Sequence, residues 1–175
     1  ERLTDGVAAL AAGRAGLGVD AVKISSPFAG AGFVSRDFYR AFVLPHESRL
    51  ARAIEARGAR AYLHTCGDIH DRLELMAASG VSGLECLDPP PLGRTDLGDA
   101  KRRVGGSVFI KGNVDPVHVL LAGDPGSVLA DARRRLTLGR PGGRYILSTA
   151  CSIAPRTPPA NVLALAGAAA VWGVY

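Results

Sequence analysis

Residues 59–79 read Ala-Arg-Ala-Tyr-Leu-His-Thr-Cys-Gly-Asp-Ile-His-Asp-Arg-Leu-Glu-Leu-Met-Ala-Ala-Ser, and the change of period inside this stretch decides the fold. Its first six residues are a short, largely apolar run of strand length, whereas from Ile69 onward apolar residues recur at helical spacing. Between the two lies Thr65-Cys66-Gly67-Asp68. Asp68 stands where a helix cap belongs, and Gly80 follows where the helix must stop. The stretch is therefore one strand–turn–helix unit.

The same unit recurs on both sides of it. Strands are expected over 19–24, 83–87, 108–111 and 145–148, and helices over 36–57, 96–104, 128–138 and 159–171, with Ser35 before the first helix and Gly58 and Gly139 at helix ends. Short, mostly apolar runs suit strands buried on both faces of a parallel sheet. Strand and helix in alternation give an α/β architecture, either a doubly wound sheet or a barrel. Polar or Gly/Pro-rich segments follow every strand: Ser25-Ser26-Pro27, Thr65-Cys66-Gly67, Asp88-Pro89-Pro90, Gly112-Asn113-Val114-Asp115-Pro116 and Thr149-Ala150-Cys151. In a parallel β/α protein all of these lie on one rim, where barrel enzymes place their chemistry. A full eight-stranded barrel takes about 250 residues and rarely fewer than ~200. A chain of 175 residues supplies about five units, so the expectation is a partial barrel whose remaining wall comes from an N-terminal segment or from another copy in a homo-oligomer.

Composition narrows the partners. A chain that is 47% hydrophobic and 21% charged can bury a real core, and its glycines and prolines fall between apolar runs instead of forming a tract. The basic excess sits in groups such as Lys101-Arg102-Arg103 and Arg133-Arg134-Arg135, inside helix-like segments without interleaved aromatics. These read as solvated helix faces, and no nucleic-acid partner is expected. The N-terminus lacks the sections of a signal peptide, and the apolar run 162–175 is too short to cross a bilayer; a cytoplasmic protein without membrane contact is expected. Three cysteines with no obvious disulfide framework suggest metal or catalytic use for some of them.

The sharpest chemical feature is His64-Thr65-Cys66. Side chains two apart on a strand point to one side, so His64 and Cys66 can grip one ion, and Cys151 ends the fifth strand on the same rim. One imidazole with two thiols is a donor set suited to zinc, with a position left for substrate or water. On spacing alone the other reading stays open: Cys66 and Cys151 as small buried hydrophobes and His64 as a hydrogen-bonded rim residue. Cys86, alternating with Glu85, belongs to the core, and His46, His70 and His118 belong to helix surfaces. Ser25, Asn113 and Asp115 follow strand ends and serve as substrate contacts or as turn and cap residues. The run Gly30-Ala31-Gly32-Phe33-Val34-Ser35 is only superficially a dinucleotide loop.

Several motifs in order, His64-Thr65-Cys66-Gly67, Gly80-Val81-Ser82-Gly83-Leu84-Glu85, Lys111-Gly112-Asn113-Val114-Asp115-Pro116 and Gly142-Gly143-Arg144-Tyr145-Ile146-Leu147-Ser148 with Cys151 and Pro155, together resemble the C-terminal half of the uroporphyrinogen decarboxylase family. The resemblance implies a (β/α)8 TIM-barrel domain, with residues 1–175 as its C-terminal portion. Within that superfamily the chain is similar to the methylcobalamin:coenzyme M methyltransferase branch, which implies zinc ligands at His64, Cys66 and Cys151. It also implies a corrinoid (methylcobalamin) as co-substrate or on a partner protein, and a thiol or methylated small molecule as the other reactant. Decarboxylases proper usually carry Gly-His-Gly-Ile-x-Pro near the last strand, and its His falls on Cys151 here. Decarboxylation of a tetrapyrrole is the alternative activity, and a non-catalytic half-barrel binding module the alternative of another kind. Glu85 resembles in position the zinc-side carboxylate of cobalamin-independent methionine synthase, with Asp88 as its competitor for a role in adjusting the resting site.

Overall fold

Five parallel strands pair in the order in which the chain makes them, β1-β2-β3-β4-β5, in a computed structural model that describes residues 1–174. Tyr175, the end of the expected domain 1–175 and of the apolar run 162–175, lies outside the described residues. Along the chain come α1 (Arg2–Ala15), β1 (Ala21–Ser25), α2 (Arg36–Phe38), α3 (Leu44–Glu55), β2 (Arg60–Thr65), α4 (Leu73–Ala77) and β3 (Gly83–Cys86). These are followed by α5 (Leu97–Val104), β4 (Phe109–Val114), α6 (Pro125–Gly139), β5 (Tyr145–Thr149) and α7 (Pro159–Trp172).

Register sorts the strand residues into rungs. Ile24, Leu63, Leu84, Ile110 and Tyr145 pair across the sheet, and all five are buried beneath the helices. One residue further along, Ser25, His64, Glu85, Lys111 and Ile146 form the next rung, on the opposite face. On that inner face Tyr62 and Phe109 flank Gly83, their ring centroids 5.9 Å apart. A Cβ at position 83 would lie 2.2 Å from the Phe109 ring, so any larger residue there would have to displace that ring. A second small cluster of Val114, Leu120 and Val128 fills the space beneath α7.

The structure departs from the sequence reading at four places. Helix α1 was not expected: Leu3 and Leu10 are exposed and only Ala8 and Ala15 are buried, so no apolar stripe marks it. The single helix expected over 36–57 is broken by a π-helical stretch, Tyr39–Val43, which ends two residues before Pro45. Proline has no N–H to donate to the preceding turn, and the wider turn accommodates that loss. Strand β4 runs on to Val114, through residues whose glycine and asparagine look like a turn. Arg135 does not share the solvated face expected for the 133–135 triplet; it is buried, donating to Asn113 Oδ1 at 2.7 Å and to both carboxylate oxygens of Asp131. No helix among the described residues is long and apolar enough to cross a membrane.

Candidate metal centre

Strand β2 delivers His64 to the inner face, and Cys66 follows two positions later on the same side. Cys66 Sγ lies 3.3 Å from His64 Nε2 and 3.7 Å from Cys151 Sγ, and the three donor atoms all fall within 4.8 Å of one another. Three strand steps separate β2 from β5, roughly 14 Å in a flat sheet. The sulfurs meet because the sheet curls and brings the C-terminal ends of β2 and β5 toward each other.

The surrounding backbone fixes this arrangement. Ser26 N–H donates to His64 O (2.9 Å) and Ala31 N–H to Asp68 O (2.7 Å), so the loop after β1 lies directly on the His64–Asp68 segment. Gly30 permits that approach: a Cβ there would sit 2.5 Å from Cys66 O. The fully buried Arg72 holds the same loop from behind, donating to Ala29 O at 2.8 Å and Val34 O at 3.0 Å. Gly67, at φ 77°, donates its N–H to Asp88 Oδ2 at 2.7 Å. At the far side Thr149 Oγ1 donates to Cys151 O and Ala150 N–H to Val114 O.

Behind the imidazole stands Glu85, its Oε2 2.9 Å from His64 Nδ1. Lys111 donates to the other oxygen, Oε1, and Lys23 lies 3.7 Å from Oε2. Burial alone would raise the pKa of Glu85, but the hydrogen bonds from His64 and Lys111 and the two ammonium charges hold it down at about 2. An ionised carboxylate on Nδ1 fixes the N–H there and leaves Nε2 with its lone pair toward the sulfurs, the outer-shell arrangement found behind metal-bound histidines. Burial, reinforced by the neighbouring Cys151 sulfur, pushes the Cys66 thiol up to about 11. Two thiols this close repel when ionised unless a cation lies between them, and two thiolates with a neutral imidazole match a Cys2His zinc set with one open position. The donor set fits zinc.

The remaining candidate residues fall in different places. Asp88 is buried, one oxygen on Gly67 N–H and its Oδ1 unpaired, at the end of a left-handed turn in which Cys86 and Leu87 have φ of 91° and 56°. Cys86 is fully buried, and burial first, then Asp88, raises its thiol pKa. Asn113 is also fully buried, donating to Leu87 O at 2.8 Å and accepting from Arg135. Asp115 accepts from Val117 N–H, His118 N–H and the His118 ring, capping the turn Pro116–Leu121. Ser25 is exposed on the inner face, opposite His64 in register. Away from the donors, His46 and His118 are exposed and His70 is half-buried. Sequence reading missed Lys23, Lys111 and Arg72. A lysine inside an apolar strand run was the one available signal for the first two.

A curled parallel β/α sheet with an imidazole and two thiols on its C-terminal rim defines the class: a partial (β/α) barrel with a candidate metal centre. The uroporphyrinogen decarboxylase (URO-D) family model matches residues 1–172, and the chain belongs to that family. It is 30% identical over 145 residues to the methylcobamide:CoM methyltransferase MtbA of Methanosarcina acetivorans, covering 83% of this chain and 40% of the relative. It is 36% identical over 170 residues to the uroporphyrinogen decarboxylase of Nocardia farcinica, covering 93% of this chain and 45% of that one. A solved methyltransferase from Methanosarcina mazei superposes with a TM-score of 0.84 at 27% identity, over 98% of this chain and 48% of its own. The chain spans less than half the length of these relatives, which are enzymes of two different reactions.

Proposed function

We propose that the protein is part of a zinc-dependent methyltransferase that moves a methyl group between a corrinoid and a thiol or methylated small molecule. The observation that carries this reading is the convergence of His64 Nε2, Cys66 Sγ and Cys151 Sγ within 4.8 Å, with Glu85 behind the histidine. His64, Cys66 and Cys151 would hold the ion. Zinc bound there supplies Lewis acidity that lowers the pKa of a coordinated thiol, so that a thiolate nucleophile is present near neutral pH. The chain's own residues do the rest. Glu85 keeps the His64 proton on Nδ1, Asp88 and Gly30 hold the Cys66 loop in place, and Ser148 and Ser152 line, with His64 and Cys151, a cleft of about 200 Å³. A corrinoid carrying the methyl group, free or on a partner protein, is the second reactant.

Metal analysis of the purified protein beside Cys66→Ser and Cys151→Ser tests this. About one zinc per chain is expected in the parent, with a clear loss in both variants. Unchanged zinc in both variants would remove the metal centre and leave the decarboxylase relatives as the better guide.

A further inference from the structure

Glu85 is ambiguous as a neighbour of a metal site, because carboxylate oxygens are themselves zinc ligands. It lines the same cleft as His64 and Cys151, so it competes for any cation held there. What distinguishes its present pose is a lysine on each side. Lys111 lies directly opposite Glu85 in the β3–β4 register, and its ammonium takes Oε1, the oxygen that His64 does not use. Lys23, from β1, lies 3.7 Å from Oε2, which His64 Nδ1 already occupies. The carboxylate is thus held from two sides and meets the imidazole at Nδ1, whereas Cys66 Sγ meets it at Nε2.

We infer that Lys111 is a positioning residue: it restrains Glu85 as the partner of His64 and so keeps the fourth position of the cation open for an incoming thiol. The inference rests on the proposed metal centre and adds to it the device that controls access. The register makes the restraint part of the sheet, since the Lys111 stem rises from the middle of β4 beside the strand that carries Glu85. Lys23, half-exposed and held at the longer distance, makes the smaller contribution. With a neutral residue at 111, Oε1 loses its cation, and the carboxylate turns toward the strongest remaining positive charge in the cleft, the bound metal ion.

The test uses the protein loaded with cobalt(II) in place of zinc, whose visible bands report coordination, titrated with the uncharged thiol 2-mercaptoethanol. The parent protein and Lys111→Arg are expected to show the same cobalt spectrum and to gain thiolate-to-cobalt absorption as the thiol is added. Lys111→Met is expected to show an altered spectrum before thiol is added and roughly a tenfold or greater loss of thiol affinity, the scale of outer-shell changes at metal sites. At equal cobalt loading, the double variant Lys111→Met with Glu85→Gln should bind the thiol more tightly than Lys111→Met alone, since no carboxylate is left to take the fourth position. Lys111→Gln gives a second neutral replacement, with folding of each variant checked by circular dichroism. If both neutral variants bind cobalt with the parent spectrum and thiol affinity, Lys111 is only a surface of the ion pair and the inference fails while the metal centre stands. If the parent itself binds no cobalt, both readings fail together.

Discussion

The rung Ile24–Leu63–Leu84–Ile110–Tyr145 and the rung Ser25–His64–Glu85–Lys111–Ile146 lie one residue apart on every strand, yet they belong to different environments. The first is buried from end to end and forms the centre of the core. The second carries an imidazole, a carboxylate and an ammonium toward the cleft, and its last member, Ile146, is 47% exposed. Because the side-chain period of a strand is two, one register sets both faces, and a slip of one residue would bury the charges and expose the core. Packing of the outer face therefore holds the inner face's chemistry in line.

The largest test of that division is Leu84→Ala against Glu85→Gln, neighbours on one strand. Leu84→Ala is expected to cost about 2–5 kcal/mol in urea unfolding while metal content stays at the parent level. Glu85→Gln is expected to do the opposite, weakening metal affinity roughly 10- to 100-fold in a chelator competition with a smaller change in stability. A smaller effect comes from the cap at Asp115, where Asp115→Ala should cost about 1 kcal/mol. Burial alone would raise the pKa of Asp115, but hydrogen bonds from His118 and Val117 hold it below its ordinary 3.8. Its stabilisation is thus complete above the ordinary value and lost as pH falls through the depressed one, since the unfolded chain takes up the proton first. Asp115→Asn keeps a capping oxygen but removes this dependence, so its acid unfolding curve should be flatter than the parent's below pH about 3.8. The smallest effect is Ile146→Ala, within about 0.5 kcal/mol for an exposed position. A loss of several kcal/mol there would show that another element packs on the inner face.

The strands were legible because each is followed by turn chemistry, and the helix stops at Gly58 and Gly80 lie at left-handed φ, 85° and 91°, where glycine is needed. Helix α1 was not, because its exposed Leu3 and Leu10 form no apolar stripe, and β4 was cut short because Gly112-Asn113 imitates a turn. There the strand continues because Asn113 finds Leu87 O and Arg135, partners 26 and 22 residues away that no local pattern reveals. The same contrast holds in the site. His64 and Cys66 form a pair by spacing, but spacing alone leaves the core reading open, and it is the family resemblance that joins Cys151 to them. Lys111 matters only through its cross-strand partner, and that partner is set by a register the linear sequence does not display.

Each strand pairs with the one made just before it, so the sheet can grow stepwise as the chain is synthesised. His64 and Cys66 take their places early, but Cys151 lies 85 positions beyond Cys66. At ribosomal speeds of about 5–20 residues per second, that separation corresponds to roughly 4–17 seconds. During that interval His64 and Cys66 stand without the third of the clustered donors. With Cys151 the cluster of donors is complete, so the order of translation times the assembly of the proposed metal site.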